Sequence, residues 1–165
     1  MVIFGVGSNI GDRLAYLNQA ATGLGEIITD IKISPVYESL AVLPENAPES
    51  WNMSFLNAAI SGKTSLTPHQ LLQFIKLLER KIGRTENYQK WSPRIIDIDI
   101  LAMDDLMIDE ENLKIPHPHL LERPFALLPF ADIAPDWQYP GKNIAVCEFA
   151  RESGNIRRTA HTISL

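Results

Sequence analysis

The sequence predicts an α+β fold, a ferredoxin-like sandwich in which helices pack on an antiparallel sheet. Three observations carry that prediction. Apolar runs with strand character and stretches with helical spacing follow one another in the order strand, helix, strand, strand, helix, strand. At 165 residues the chain has the length of one domain with a full core. Its hydrophobic content of 45% and charged content of 21% are those of an ordinary soluble globular protein. Residues 1–165 therefore read as a single domain, with about 151–165 as a polar tail or the stub of a linker.

The first strand is Val2 to Val6, a short apolar run. Gly7-Ser8-Asn9-Ile10-Gly11-Asp12 follows as a turn able to cap a helix. Its spacing, G-x-G-x-x-x-G, is not the dinucleotide-binding fingerprint, and no parallel βαβ pattern continues it. Leu14, Leu17, Ala20, Ala21 and Leu24 then recur at helical spacing, with Gly25 as the stop. Ile27 to Tyr37 reads as a second strand interrupted by polar residues. Glu38 to Asn52 is a connection long enough to serve as a lid or binding loop. Phe55 to Ser61 is the third strand. Thr67-Pro68-His69-Gln70 opens the second helix, with Thr67 as N-cap, proline at the first helical position and Gln70 completing a capping box. Leu71, Leu72, Phe74, Ile75, Leu77, Leu78 and Ile82 supply its apolar face, and Gly83 ends it. Arg80 and Lys81 complement the helix C-terminus. A polar loop, Thr85 to Ser92, leads into the strand Ile95 to Ala102, β-branched, apolar and entered just after Pro93. Leu106 to Ile115 has the pattern of a small hairpin. His119 to Ala134 holds helical pieces around Pro124 and Pro129.

The net charge of −5 argues against a general nucleic-acid binder, and no RRM-type aromatic pattern is present. A nucleotide ligand remains compatible, because local basic clusters decide that. Cys147 is the only cysteine, so no internal disulfide forms, and it reads as a packing residue in a reducing compartment. The start lacks a basic leader region and is broken by glycines, unlike a signal peptide. No apolar run approaches the ~20 residues that span a bilayer. The chain reads as cytoplasmic, without a membrane partner.

The densest chemistry lies in Trp91-Ser92-Pro93-Arg94-Ile95-Ile96-Asp97-Ile98-Asp99. Strand side chains alternate faces, so Asp97 and Asp99 point one way and Ile96, Ile98 and Ile100 the other. Two carboxylates on one strand face, roughly 6–7 Å apart at Cα, repel unless something positive lies between them. Oxygen ligands suit a hard cation such as Mg²⁺, which binds through one or two carboxylates plus substrate phosphates. Arg84, Lys90 and Arg94 are close in sequence and suited to the rest of a phosphate chain. The plain alternative is a solvent-exposed strand face with two acids. Phe55 and Asn57 share a strand face, an aromatic plate beside an amide that both donates and accepts, which suits a flat polar heterocycle. Pro116-His117-Pro118-His119 with Arg123-Pro124-Phe125 forms a proline-braced loop that delivers His117 and Arg123 to a phosphate. No companion ligand at zinc spacing supports a metal on the two histidines. P-loop and protein-kinase signatures are absent from the sequence.

Together these segments resemble the 6-hydroxymethyl-7,8-dihydropterin pyrophosphokinase family of folate synthesis. The resemblance runs through Gly7-Ser8-Asn9, Phe55-Leu56-Asn57, Glu79 with Gly83-Arg84, Trp91-x-Pro93-Arg94-x-x-Asp97-x-Asp99, and Pro116-His117-Pro118 with Arg123-x-Phe125. It implies the same ferredoxin-like fold and transfer of the terminal pyrophosphate of ATP to the pterin hydroxymethyl group, releasing AMP. It implies that Asp97 and Asp99 hold two Mg²⁺ ions on the triphosphate. Phe55 and Phe125 would sandwich the pterin, Asn57 would hydrogen-bond its edge, and Trp91 and Arg94 would come from a closing loop. Arg84, Arg94, His117 and Arg123 would contact ATP, with Arg84, Arg94, Asp97 and Asp99 carrying the catalysis. Glu38 to Asn52 would be the second moving loop. No general base is assigned. Fusion to, or work beside, dihydropteroate synthase is the partner that the resemblance implies. A regulatory domain that binds ATP without turnover is the alternative.

Overall fold

A computed structural model of the chain describes residues 1–85, 89, 91–142, 144–152 and 156–165. It opens with β1 (Val2–Ser8), α1 (Arg13–Leu24), β2 (Thr29–Ile33), β3 (Tyr37–Ser39), β4 (Phe55–Lys63), α2 (Pro68–Ile82) and β5 (Asp97–Met103). A small hairpin of β6 (Ile108–Asp109) and β7 (Lys114–Ile115) follows, then α3 (Pro124–Ile133), α4 (Val146–Glu152) and β8 (Arg157–Arg158). The main sheet runs β5-β1-β4-β3-β8, with β2 also on β4. All of these pairings are antiparallel. Without β8, this is the ferredoxin-like order predicted from the sequence, with β2 and β3 together in the place of one strand.

That division departs from the single strand expected over Ile27 to Tyr37. β2 pairs with the Ile60–Lys63 end of β4 and β3 with its Phe55–Asn57 end. Pro35 lies between them and has no N–H for a ladder. Ser34 bridges the gap: its backbone N–H donates to Ala59 O at 2.9 Å, and its Oγ accepts from Ala59 N–H at 2.9 Å.

Strand alternation divides the core between two faces. Phe4, Val6, Ile60 and Ile98 pack on one face with Leu17 and Leu24 of α1 and Leu71 and Ile75 of α2. Ile3, Ala59 and Leu101 pack on the other with Leu127 and Phe130 of α3 and Val146 of α4. α1 and α2 meet where Gly23 leaves room, since a Cβ there would lie 2.4 Å from Leu78 Cδ1.

The predicted capping box on α2 is formed, with Gln70 N–H donating to Thr67 Oγ1 at 3.3 Å and Thr67 N–H to Gln70 Oε1 at 2.9 Å. Leu77 is a correction: it is 62% exposed and not on the apolar face. At ~100° per residue it lies about 200° round the helix from Ile75. Glu79, one turn beyond Ile75, takes a buried place instead. At the start of α1, β1 runs on through Ser8, so the turn begins later than expected, and Asp12 accepts from Ala15 N–H at 3.1 Å as the cap.

Residues 153–155 lie outside the described ones, and the rest of the tail makes defined contacts. β8 pairs with β3, and Ser164 N–H donates to Asn18 Oδ1 at 2.8 Å. Among the described residues, no helix is long and apolar enough to cross a membrane.

Candidate active site

β5 sends Ile98 and Ile100 into the α1/α2 core, so its alternate residues Asp97, Asp99 and Leu101 face the α3 side. There they border a cavity of about 350 Å³ whose floor includes Gly5 and Gly7 of β1. The cavity gathers the candidate side chains among the described residues: Phe55 and Asn57 from β4, Arg84 just past α2, Trp91 and Arg94, Asp97 and Asp99, and His117, Arg123 and Phe125. Lys76 of α2 and Leu40, Ala41 and Val42 of the long connection complete much of the wall. Lys90, the remaining cation considered for a phosphate, lies outside the described residues.

The acidic pair is set by a network that starts at Glu79. Its buried carboxylate accepts from Ile98 N–H at 2.9 Å, pinning the strand between the two aspartates. It pairs with Arg84 and accepts from Lys76 Nζ at 3.1 Å. Arg84 Nη1 also donates to Asp97 Oδ1 at 2.6 Å and to Ile96 O at 3.3 Å. Arg94 Nη1 holds the other oxygen of Asp97 at 2.8 Å. Arg84, read from sequence as a phosphate ligand, is thus only 9% exposed and spends this nitrogen on orienting Asp97.

Asp99 contrasts with Asp97. No described residue forms a hydrogen bond or ion pair with its half-buried carboxylate. Burial first, then the negative charges of Asp97 and Glu79, push its carboxyl up to about 7 against the pull of Lys76 and Arg123. An under-compensated carboxylate beside a second one fits a hard cation. Among the described residues no group of three or more His, Cys, Asp or Glu forms a closed metal cage. The donor set therefore fits an ion completed by substrate oxygens, as Mg²⁺ is on phosphates.

His117 is held in a defined tautomer. Its Nδ1 accepts from His119 N–H at 3.2 Å, so the neutral ring carries its proton on Nε2. Burial, then the charges of Arg123 and His119, lower it to about 4, so the ring is neutral near pH 7. The Arg123 guanidinium lies 5.8 Å from the centre of the Phe125 ring. At the aromatic end, Asn57 Nδ2 donates to Ser39 Oγ at 3.0 Å. Gly7 stands opposite Asn57 across β1 and β4, where a Cβ would lie 3.0 Å from Asn57 Oδ1. Asn9 joins two loops: its Oδ1 accepts from Arg94 N–H at 2.7 Å and its Nδ2 donates to Met53 O at 3.4 Å. Trp91 holds a left-handed backbone, φ 74°, an uncommon geometry for a bulky residue.

Two features were given no role from sequence. Glu79 gave a visible signal, one acid in the apolar stripe of Leu71, Ile75 and Ile82, but its bond to Ile98 N–H depends on a contact between distant elements. The other is a second cavity of about 200 Å³, walled by Leu72, Ile98, Leu113 and Pro118, which shares Lys76, Asp99 and His117 with the first. Nothing in the local sequence announces it, since its walls come from α2, β5 and the β6–β7 hairpin.

Fold and cleft define the class: an α+β sandwich with a cleft of paired carboxylates, cations and aromatic rings on one sheet face. The chain belongs to the 7,8-dihydro-6-hydroxymethylpterin-pyrophosphokinase (HPPK) family, whose model matches residues 3–135. A 2-amino-4-hydroxy-6-hydroxymethyldihydropteridine pyrophosphokinase of Aquifex aeolicus is 43% identical over 152 residues, covering 92% of this chain and 91% of that protein. The protein of the same name from Bacillus subtilis is 42% identical, covering 78% of this chain and 74% of the relative. A folate synthesis bifunctional protein of Chlamydia caviae is 40% identical over 81% of this chain, which spans only 30% of that longer protein. Among solved structures, wild-type Plasmodium falciparum HPPK-DHPS matches with a TM-score of 0.70 at 16% identity, covering 92% of this chain and 44% of that one. That last likeness is one of fold.

Proposed function

We infer that this chain transfers pyrophosphate from ATP to the hydroxymethyl group of 6-hydroxymethyl-7,8-dihydropterin, releasing AMP, in folate synthesis. The observation that carries this reading is one cavity with an aromatic, amide-bearing end and a charged end. The pterin ring lies between Phe55 and Phe125, with Asn57 reading its polar edge and Trp91 closing the site. The ATP phosphates meet Arg94, Arg123 and the Nε2–H of His117, while Arg84 adds positive charge from behind Asp97. The nucleoside extends toward the second cavity, where Leu72, Leu113 and Pro118 stand beside the polar Glu111, Asn112 and Lys114.

The hydroxymethyl oxygen attacks the β-phosphorus in line and AMP departs on the opposite side. Such a reaction depends on positioning and charge compensation, with little covalent chemistry from side chains. Asp97 and Asp99 would hold Mg²⁺, which when bound neutralises phosphate charge. Asp97 is a poor general base, because both its oxygens already accept from arginines. The Leu40–Val42 segment and Trp91 border the cleft mouth and are the parts whose closure keeps water from the phosphoryl group. Residues 1–165 act as one pyrophosphokinase unit in this reading. The folate synthesis bifunctional relative of Chlamydia caviae supports work beside a second folate enzyme, which we read as dihydropteroate synthase.

The test is an assay with ATP, Mg²⁺ and 6-hydroxymethyl-7,8-dihydropterin, with nucleotides separated by chromatography. AMP that appears only with the pterin, in step with a pterin diphosphate, is the expected result. ADP would overturn the site of attack. ATP binding without turnover would favour the regulatory alternative.

A further inference from the structure

The geometry points to Arg13 and Glu38 as positioning residues for the pterin end of the cleft, acting through the feet of the 40–54 connection. This rests on the reading of Phe55, Asn57 and Phe125 as the pterin site. The connection leaves β3 at Ser39 and re-enters the sheet at Phe55, and these two residues face each other in register. Neither Arg13 nor Glu38 lines the cavity.

One nitrogen spans both feet. Arg13 Nη1, from the first residue of α1, donates to Glu38 Oε1 at 3.1 Å and to Ser54 O at 2.8 Å. Glu38 thus ties the outgoing foot to α1, and Ser54 ties the returning one. The chain's end supports the outgoing foot from outside. β8 pairs Arg157 with Glu38 and Arg158 with Tyr37, and Thr159 N–H donates to Val36 O at 2.8 Å. Arg157 also forms an ion pair with Glu38. The Arg157 side chain is 74% exposed against 30% for Arg13, so the Arg13 contact is the less screened of the two.

The link to ligand passes through one hydrogen bond. Ser39 follows Glu38, and its Oγ is the acceptor that fixes the Asn57 amide at 3.0 Å. A displaced outgoing foot releases Asn57 Nδ2 and lets the amide turn away from the heterocycle edge. The charged end is held chiefly by the bonds of Glu79 and Arg84 to β5, with one link to the returning foot, where Asn9 joins Met53 O to Arg94 N–H. Loss of the Arg13–Glu38 contact therefore separates the two substrates, weakening pterin and sparing ATP. A merely structural ion pair would lower both affinities with overall stability.

The experiment uses the full chain with Arg13→Gln, Glu38→Gln and the double variant. Pterin affinity is measured by fluorescence titration in the presence of a non-hydrolysable ATP analogue, and affinity for that analogue is measured alone. Each single variant is expected to weaken pterin binding about 5–10-fold, the double no more than about twofold beyond either single, and analogue binding less than about twofold. Equal losses for both ligands, unchanged pterin binding, or multiplying effects in the double would overturn the inference. Phe125→Ala is run alongside. If it too leaves pterin affinity intact, the pterin site itself is misassigned and the inference falls with it. If it weakens pterin while Arg13→Gln and Glu38→Gln do not, only the inference fails.

Discussion

Asp97 and Asp99 share a strand face, yet Asp97 lies between two arginines while Asp99 has no hydrogen-bond or ion-pair partner among the described residues. The two aspartates therefore respond oppositely to removal of their charge. Asp99 titrates near 7 in the fold, above its ordinary value of ~4. Its contribution to stability is complete below that ordinary value and is lost as pH rises through 7. In metal-free buffer at pH 8, Asp99→Asn should stabilise the fold by about 1–3 kcal/mol, with the gain gone by about pH 4, while turnover falls at least ~100-fold. Urea unfolding at both pH values with a turnover assay checks this; equal stability at pH 8 would contradict it. Asp97→Asn should instead destabilise by about 2 kcal/mol, since it weakens the partner of a buried guanidinium. His117 has the opposite sign to Asp99. Its pKa of about 4 lies below the usual ~6.5, so its contribution is present above 6.5 and is lost as pH falls through 4. An NMR titration of the ring nitrogens should show no His117 midpoint above about 5 in the ligand-free protein, given that lowering. At this scale the sequence was most legible along strands, because a period of two assigns faces without tertiary knowledge. Asp97 with Asp99, and Phe55 with Asn57, needed nothing further. The grip of Arg84 on Asp97 was not legible, because it requires α2 and β5 to be side by side.

Between elements, α2 connects fold and chemistry. Its start follows local rules, and the capping box was readable from Thr67 to Gln70. Thr67→Ala should cost about 1 kcal/mol and leave the cleft chemistry alone. Its far end behaves differently. Glu79→Ala removes the acceptor for Ile98 N–H and the partner of Arg84, so it should destabilise by about 3 kcal/mol and lower turnover together. Urea midpoints and kcat for the two variants distinguish a stability effect alone from one coupled to the site. If Glu79→Ala behaved like Thr67→Ala, the β5 anchor would be misassigned. The break between β2 and β3 was missed: Ile27 to Tyr37 reads as one strand although Pro35 lies inside it, and the Ser34 bridge to Ala59 appears only once β4 is alongside. β8 was not legible at all, because a two-residue strand of arginines has neither alternation nor apolar content, and pairing with β3 alone defines it.

For the molecule as a whole, the order of elements could be read because each element is local, and antiparallel pairing then leaves few arrangements. The layer of α3 and α4 on the second sheet face was less legible. It gives the aspartates a covered face on which to meet the aromatic residues of β4 and α3. Without that layer, Asp97 and Asp99 would stand on an open sheet. The contact of Gly7 with Asn57 ties two strands together in the cleft, and under the proposed function its consequence is genetic. In a library randomised at both positions, residues 7 and 57 should behave as a single locus. A larger residue at 7 would survive selection for folate synthesis only beside a smaller residue at 57, and such pairs would carry altered preference among pterin analogues.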